Sequence, residues 1–292
     1  MAIEDIEDII KSLSCDTFTK DSYDIKIKLN PRYRKEDLVR SIEEDYNENQ
    51  CFLPGKYSIY IRTWGCTHNS SDSEYMAGLL AQSGYQVIES PEKADLWILN
   101  SCTVKNPAED HFRNEIKQAI NSNKKLVVAG CVPQSDNKSA YLKLISIIGV
   151  QQIDKVVEVV EETLKGNVVR YLGVQKEGKR KTGGAPLHMP KIRRNPLIEI
   201  IPINTGCLNE CTYCKTKQAR GKLGSYRIED IVFRAECAFS EGVKELWITS
   251  EDTGAYGRDI GTSLPELLYS LVQVIPQDCM LRIGRFIINF LF

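Results

Sequence analysis

DLWILNSCTV, residues 95–104, and KLVVAGCVPQ, residues 125–134, share one pattern: a short apolar run, a small turn residue, then a cysteine. A continuous apolar run of this length, bounded by turn residues, is the signature of a strand buried on both faces. The runs Asp95–Asn100 and Lys125–Ala129 are therefore expected as strands, joined by a β-rich stretch at Tyr57–Thr63. Between them lie helical patterns. Asp72–Gln82 reads as a helix with Ser71 as its cap, a second helix should run from Pro107 to about Ile120, and Val156–Leu164 is amphipathic. Short apolar strands alternating with helices argue for an open parallel α/β sheet over residues 56–170.

In a parallel sheet the carboxyl ends of the strands share one edge, where ligands bind. Cys66, Cys102 and Cys131 each follow a different strand. Thiols 36 and then 29 residues apart are thus expected to meet. Gly65 and Gly130 precede two of them and permit close backbone approach. The helices that follow aim their N-termini at this edge, which suits an anionic group. One buried cysteine would be unremarkable; three in the same context point to a site.

The rest of the chain fits a soluble α/β reading. Of 292 residues, 38 are Lys or Arg and 39 are Asp or Glu, a net charge of −1. Coating nucleic acid by overall charge is excluded, although a local basic patch is not. No apolar run reaches the 18 residues of a membrane span, and the acidic start MAIEDIEDII has no secretory pattern. The expected setting is cytoplasmic, where the ten cysteines stay reduced. Residues 1–55 form an acidic lead-in with 13 acids against 8 bases and little periodicity. Residues 171–194 read as a flexible linker whose stretch 176–194 carries seven bases and one acid, either a solvated tether or a handle for a phosphate backbone. Over 195–292 the alternation restarts: strands at Leu197–Ile203, Glu245–Thr249 and Met280–Gly284, helices at Ile228–Ser240 and Leu264–Val274.

Cys207-x3-Cys211-x2-Cys214, in INTGCLNECTYC, follows the first of these strands. Three thiolates in eight residues can wrap three corners of a four-iron cluster and leave one iron open to a small chelating molecule. Zinc is the alternative, but it needs a fourth ligand, and only Cys237 and the linker's His188 are near in sequence. Cys237 and Cys279 read as core, and Cys15 and Cys51 fall in the lead-in. His68 and His111 neighbour the thiols, as outer donors or as solvated loop residues.

Over residues 56–284 these motifs resemble the radical S-adenosylmethionine (SAM) methylthiotransferases. The matching strings are Gly65–Glu74, Asn100–Val104 through Ala108–Glu109, Gly130–Gln134, and the Cys207/Cys211/Cys214 loop. TWGCTHNSSDSEYMAGLL, KTKQARG and TSEDTGAYGRDIG look most like the eukaryotic members that act on tRNA. The resemblance implies an N-terminal methylthiotransferase domain and an incomplete radical SAM β/α barrel. It also implies two [4Fe–4S] clusters, on Cys66/Cys102/Cys131 and on Cys207/Cys211/Cys214, with SAM bound at the second. The implied reaction places a methylthio group on C2 of N6-threonylcarbamoyladenosine at position 37 of tRNA. It needs an electron donor, and the chain is expected to be a monomer. Tyr213 and Arg220 become candidate SAM contacts, with a phosphate contact as the alternative for Arg220. Glu251–Asp252 is a further candidate, although two adjacent acids sit by default at the surface. Ser225 is followed by Tyr226, with Arg227 one place later than the family's arginine. After MLRIG the family's barrel continues, whereas here RFIINFLF follows. The family's RNA-gripping C-terminal barrel and the tail that anchors eukaryotic members at the endoplasmic reticulum are not matched. A chain of this extent is expected to bind clusters but to methylthiolate tRNA poorly. The alternatives are a non-catalytic iron–sulfur fragment or regulatory isoform, and a methylthiotransferase acting on a protein side chain.

Overall fold

The computed structural model describes residues 55–103, 106–174, 176–177 and 180–284. The acidic lead-in up to residue 54, with Cys15 and Cys51, and the segment RFIINFLF lie outside the described residues. The elements are β1 Ser58–Thr63, α1 Thr67–Gln82, β2 Gln86–Ile88, β3 Leu96–Ser101, α2 Asn106–Asn121, β4 Lys125–Gly130, α3 Cys131–Ser135, β5 Ser146–Ile148, α4 Val156–Leu164 and β6 Arg170–Tyr171. They continue with β7 Lys176–Glu177, β8 Arg180–Lys181, β9 Ile198–Pro202, β10 Asn204–Thr205, α5 Lys215–Arg220, β11 Gly224–Ser225, α6 Ile228–Ser240, β12 Glu245–Thr249, α7 Leu264–Val274 and β13 Met280–Ile283.

The first sheet has six parallel strands in the order β2-β1-β3-β4-β5-β6. Every residue of β3 is buried, as its apolar run requires. Strand alternation sorts the core into two layers. Ile59, Ile98, Val127 and Ile148 face Tyr75, Met76 and Leu80 of α1 and Val156, Val159 and Val160 of α4. Tyr60, Trp97, Leu99, Val128 and Ile147 face Phe112 and Ile116 of α2. The register aligns Thr63 with Asn100 and Ser101 with Gly130, so β1, β3 and β4 end together at one edge.

The second sheet is β13-β12-β9, again parallel. Ile231, Ala235 and Ala238 of α6 and Leu267 and Leu271 of α7 are buried beneath it. These are three parallel strands with helices α6 and α7 packed against them, the start of the alternation expected over 195–292. Ile201, Ile203, Leu246 and Ile248 join the same hydrophobic cluster as α1 and α4, so the core runs unbroken between the sheets.

Two expectations need correction. Helix α1 begins at Thr67, with Cys66 as its N-cap, and Ser71 is an interior residue whose Oγ donates to the Ile200 carbonyl at 3.0 Å. Its first turns are polar yet buried, so no apolar period marked the start. The stretch 185–194 is packed, not a solvated tether: Ala185, Leu187 and Met189 are buried against the core, Tyr75 donates to the Leu187 carbonyl at 3.0 Å, and the Lys191 side chain is fully buried. The preceding Gly183-Gly184 and its own two prolines gave it the look of a loop, while its apolar residues alternate as in an extended strap. The short elements β2, β5, β6 and α5, of two to six residues, had no period to show.

Candidate functional site

The first thiol triad sits where the register put it. Cys66 is exposed and caps α1 in extended backbone, with φ −90° and ψ 170°. Cys102 follows β3, Cys131 opens α3, and both are buried. Gly65, at φ +104°, lies so close to Cys102 that a Cβ there would stand 2.4 Å from the Cys102 Cβ. Gly130, at φ +90°, leaves 2.3 Å between such an atom and the Ser101 carbonyl. Both glycines are therefore required by conformation and by space.

One side chain knots the three loops. Asn69 donates through Nδ2 to the Trp64 carbonyl at 3.0 Å and to the Ser101 carbonyl at 2.8 Å, and its Oδ1 lies 3.9 Å from the Cys131 sulfur. Asn100 donates back to the Asn69 carbonyl at 2.9 Å and to Ser73 Oγ at 2.8 Å. Ser101 Oγ donates to the Ala129 carbonyl at 2.7 Å and accepts from the Val132 amide at 3.3 Å. Burial pushes the Cys131 thiol up to about 12, against the pull of the neighbouring Arg220 guanidinium. A thiol so buried is inert as a free nucleophile and becomes a thiolate only with a positive partner.

The second triad lies on the loop from β10 to α5. The Cys207 amide donates to the Gly221 carbonyl at 3.2 Å, and the Cys214 amide to the Cys211 carbonyl at 3.0 Å. Cys214 is the N-cap of α5. Cys207 Sγ stands 3.0 Å from Asp252 Oδ2; burial first, and then this carboxylate, push its thiol up to about 11. Lys217 Nζ donates to the Cys207 carbonyl at 2.6 Å. Tyr213 is 87% exposed. The eight described cysteines are all free thiols. Among the described residues, no three His, Cys, Asp or Glu side chains converge on a single-ion site.

A buried polar network joins the triads. Arg220, on α5, is 3% exposed. Its Nη2 donates to Asn69 Oδ1 at 2.6 Å and to Asp72 Oδ2 at 3.0 Å, and its Nε lies 3.1 Å from Glu251 Oε1. His68 Nδ1 also lies 2.9 Å from Glu251 Oε1, and Glu251 Oε2 accepts from the Gly206 amide at 3.1 Å. Burial would raise Glu251, but His68 and Arg220 hold it down at about 2. The default surface position for Glu251–Asp252 is overturned: both are buried, because the loop after β12 carries them under the first sheet's edge. His68 is buried on α1, while His111 is exposed on α2. Asn69 and Asp72 were missed as site residues; their signal was a polar run directly after the Cys66 motif. Cys237 and Cys279 are half-buried and apart from both triads, on α6 and just before β13.

Two cysteine triads, one following the parallel strands of the first sheet and one on the loop into α5, are thus linked through a buried charged network of Arg220, Glu251 and Asn69. The resemblance read from the motifs holds over 97% of the chain. Residues 58–148 match the family described as "Uncharacterized protein family UPF0004". The chain is 60% identical over 282 residues to threonylcarbamoyladenosine tRNA methylthiotransferase of Xenopus laevis, covering 97% of this chain and 50% of that protein. It is 59% identical over 284 residues to the Homo sapiens protein of the same name, covering 97% and 49%. It is 38% identical over 226 residues to the probable threonylcarbamoyladenosine tRNA methylthiotransferase of Pyrococcus horikoshii, covering 77% and 52%. The chain spans about half the length of these curated relatives. No helix among the described residues is long and apolar enough to cross a membrane.

Proposed function

We propose that this chain serves the methylthiolation of C2 of N6-threonylcarbamoyladenosine at position 37 of tRNA. In this reading Cys66, Cys102 and Cys131 hold one [4Fe–4S] cluster, and Cys207, Cys211 and Cys214 hold another that binds SAM. The observation that carries it is the convergence of the three dispersed cysteines at one sheet edge, tied there through Asn69 and Asn100. When bound, these groups supply the carbon radical, the sulfur and the methyl group.

The chain's own residues fix geometry and charge. The peptide bonds of Asn69, Ser101 and Ala129 are held by side chains, so the thiol-bearing loops are preset. Three thiolates leave one iron of a four-iron cluster open, as SAM chelation requires. Tyr213, exposed between Cys211 and Cys214, is available to cover the adenine of SAM. The chain is proposed to work as a monomer in the cytoplasm, supplied with electrons by a separate donor.

The test is anaerobic reconstitution followed by iron and sulfide analysis. Simultaneous replacement of Cys66, Cys102 and Cys131 by alanine should remove about half of the iron, and the same change at the second triad the other half. Iron content untouched by the first triple variant would sink the two-cluster reading. Binding of a modified anticodon stem-loop that does not weaken with salt would remove the RNA substrate.

A further inference from the structure

We infer that Arg220 is a positioning residue of the Cys66/Cys102/Cys131 cage, delivered to it by the helix that the other cysteine triad caps. The inference rests on the two-cluster reading and goes beyond it by assigning the guanidinium to the first cage.

Helix α5 begins directly after its N-cap, Cys214, and ends on Arg220. Its guanidinium thus leaves the second triad and enters the first sheet's edge. There it meets Asn69, the residue that knots the three loops, at 2.6 Å. The same Asn69 Oδ1 lies 3.9 Å from the Cys131 sulfur, which sets the guanidinium beside the buried thiol of the first triad. Asp72 and Glu251 brace it at 3.0 and 3.1 Å, so it is fixed on both sides. A planar fork held by two carboxylates and an amide is a task that guanidinium geometry suits better than an ammonium. Three thiolates around a four-iron core carry net negative charge. A cation fully desolvated beside them makes the added electron easier to accept.

The test uses the whole chain carrying alanines at Cys207, Cys211 and Cys214, so that only the first cage can load. R220Q, R220K and D72N are compared with the parent after anaerobic reconstitution. The readouts are iron and sulfide per chain, the electron paramagnetic resonance signal of the reduced cluster, its midpoint potential, and the melting temperature. R220Q should lower iron occupancy several-fold and move the midpoint to more negative potential. R220K keeps the charge and should restore most of the occupancy, with a midpoint near the parent's. D72N breaks the same brace but deletes an anion, so its midpoint should move to more positive potential. If R220Q and D72N shift the midpoint in the same direction, or lose iron only in step with melting temperature, Arg220 is a fold staple and the inference fails. If the parent itself loads no iron, the two-cluster reading has failed instead.

Discussion

Glu199 is the acid on which the strap and the second sheet converge, and its charge can be removed without changing its shape. It is fully buried on β9. It accepts from Lys191 at 3.0 Å, from Arg234 Nη2 at 3.0 Å and Nε at 3.2 Å, and from Arg193. Lys191, whose side chain is also fully buried, lies 3.1 Å from Glu74 and 4.8 Å over the ring of Tyr75. Burial by itself would raise the pKa of Glu199. Lys191, then Arg234 and Arg193, outweigh it and hold the carboxyl at about 2, against an ordinary 4.5. At about 1.4 kcal/mol per pH unit, that gap corresponds to about 3 kcal/mol of folding stability. The folded pKa is the lower one, so this stability is complete above pH 4.5 and is lost as the pH falls from there toward 2. E199Q leaves three cations around a neutral amide, at a cost of about 3–5 kcal/mol. Urea unfolding followed by circular dichroism, at pH 7 and in steps from pH 5 to 3, measures both effects. The difference between wild type and E199Q should be about 3 kcal/mol or more at pH 7 and shrink on acidification. A variant within 1 kcal/mol of wild type at pH 7, or a difference independent of pH, would refute the reasoning.

Gly78 lies inside α1, where alanine would ordinarily stabilise by up to about 1 kcal/mol. Its Cβ would stand 2.2 Å from the Pro190 carbonyl of the strap, so G78A should instead lower stability by about 1–3 kcal/mol in a denaturant titration. G65A places a methyl group on Cys102 at φ +104° and should cut iron bound by the first triad, as measured by iron analysis. G242A, at φ +91° with nothing within 4 Å, should cost only about 1–2 kcal/mol and leave iron unchanged, which separates strain from crowding.

Much of this fold was legible because its main elements bury regular faces. Ile228–Ser240, Glu245–Thr249, Leu264–Val274 and Val156–Leu164 occur with the bounds their patterns predict. That Cys66, Cys102 and Cys131 follow strands ending at one edge was legible too, since parallel strands share a carboxyl edge. What escaped was held by polar bonds to distant residues. Glu251 and Asp252 are buried by partners 31 to 183 positions away, which local sequence does not reveal. The strap at 185–194 escaped for the same reason: its lysine and arginine are stabilised by Glu74 and Glu199, not by water.

The first turns of α1 show why site and fold are read from the same residues. His68, Asn69, Ser71, Asp72, Ser73 and Glu74 are all buried in one polar stretch. His68 and Asp72 reach Glu251 and Arg220, Asn69 reaches the thiol loops, and Ser71 reaches the Ile200 carbonyl. Ser73 meets Thr63 at 2.7 Å, and Glu74 takes Lys191 and the Arg194 amide. An apolar helix face of equal area would bury as well but tolerate sliding, because hydrophobic contact has no direction. Here a displacement of one residue would orphan several buried donors and acceptors at once, each costing about 1–3 kcal/mol. Directed bonds thus fix the rotation and height of α1, and with them the position of its N-cap, Cys66. The loop that carries Cys66 is thereby held in place relative to those of Cys102 and Cys131 by directed bonds.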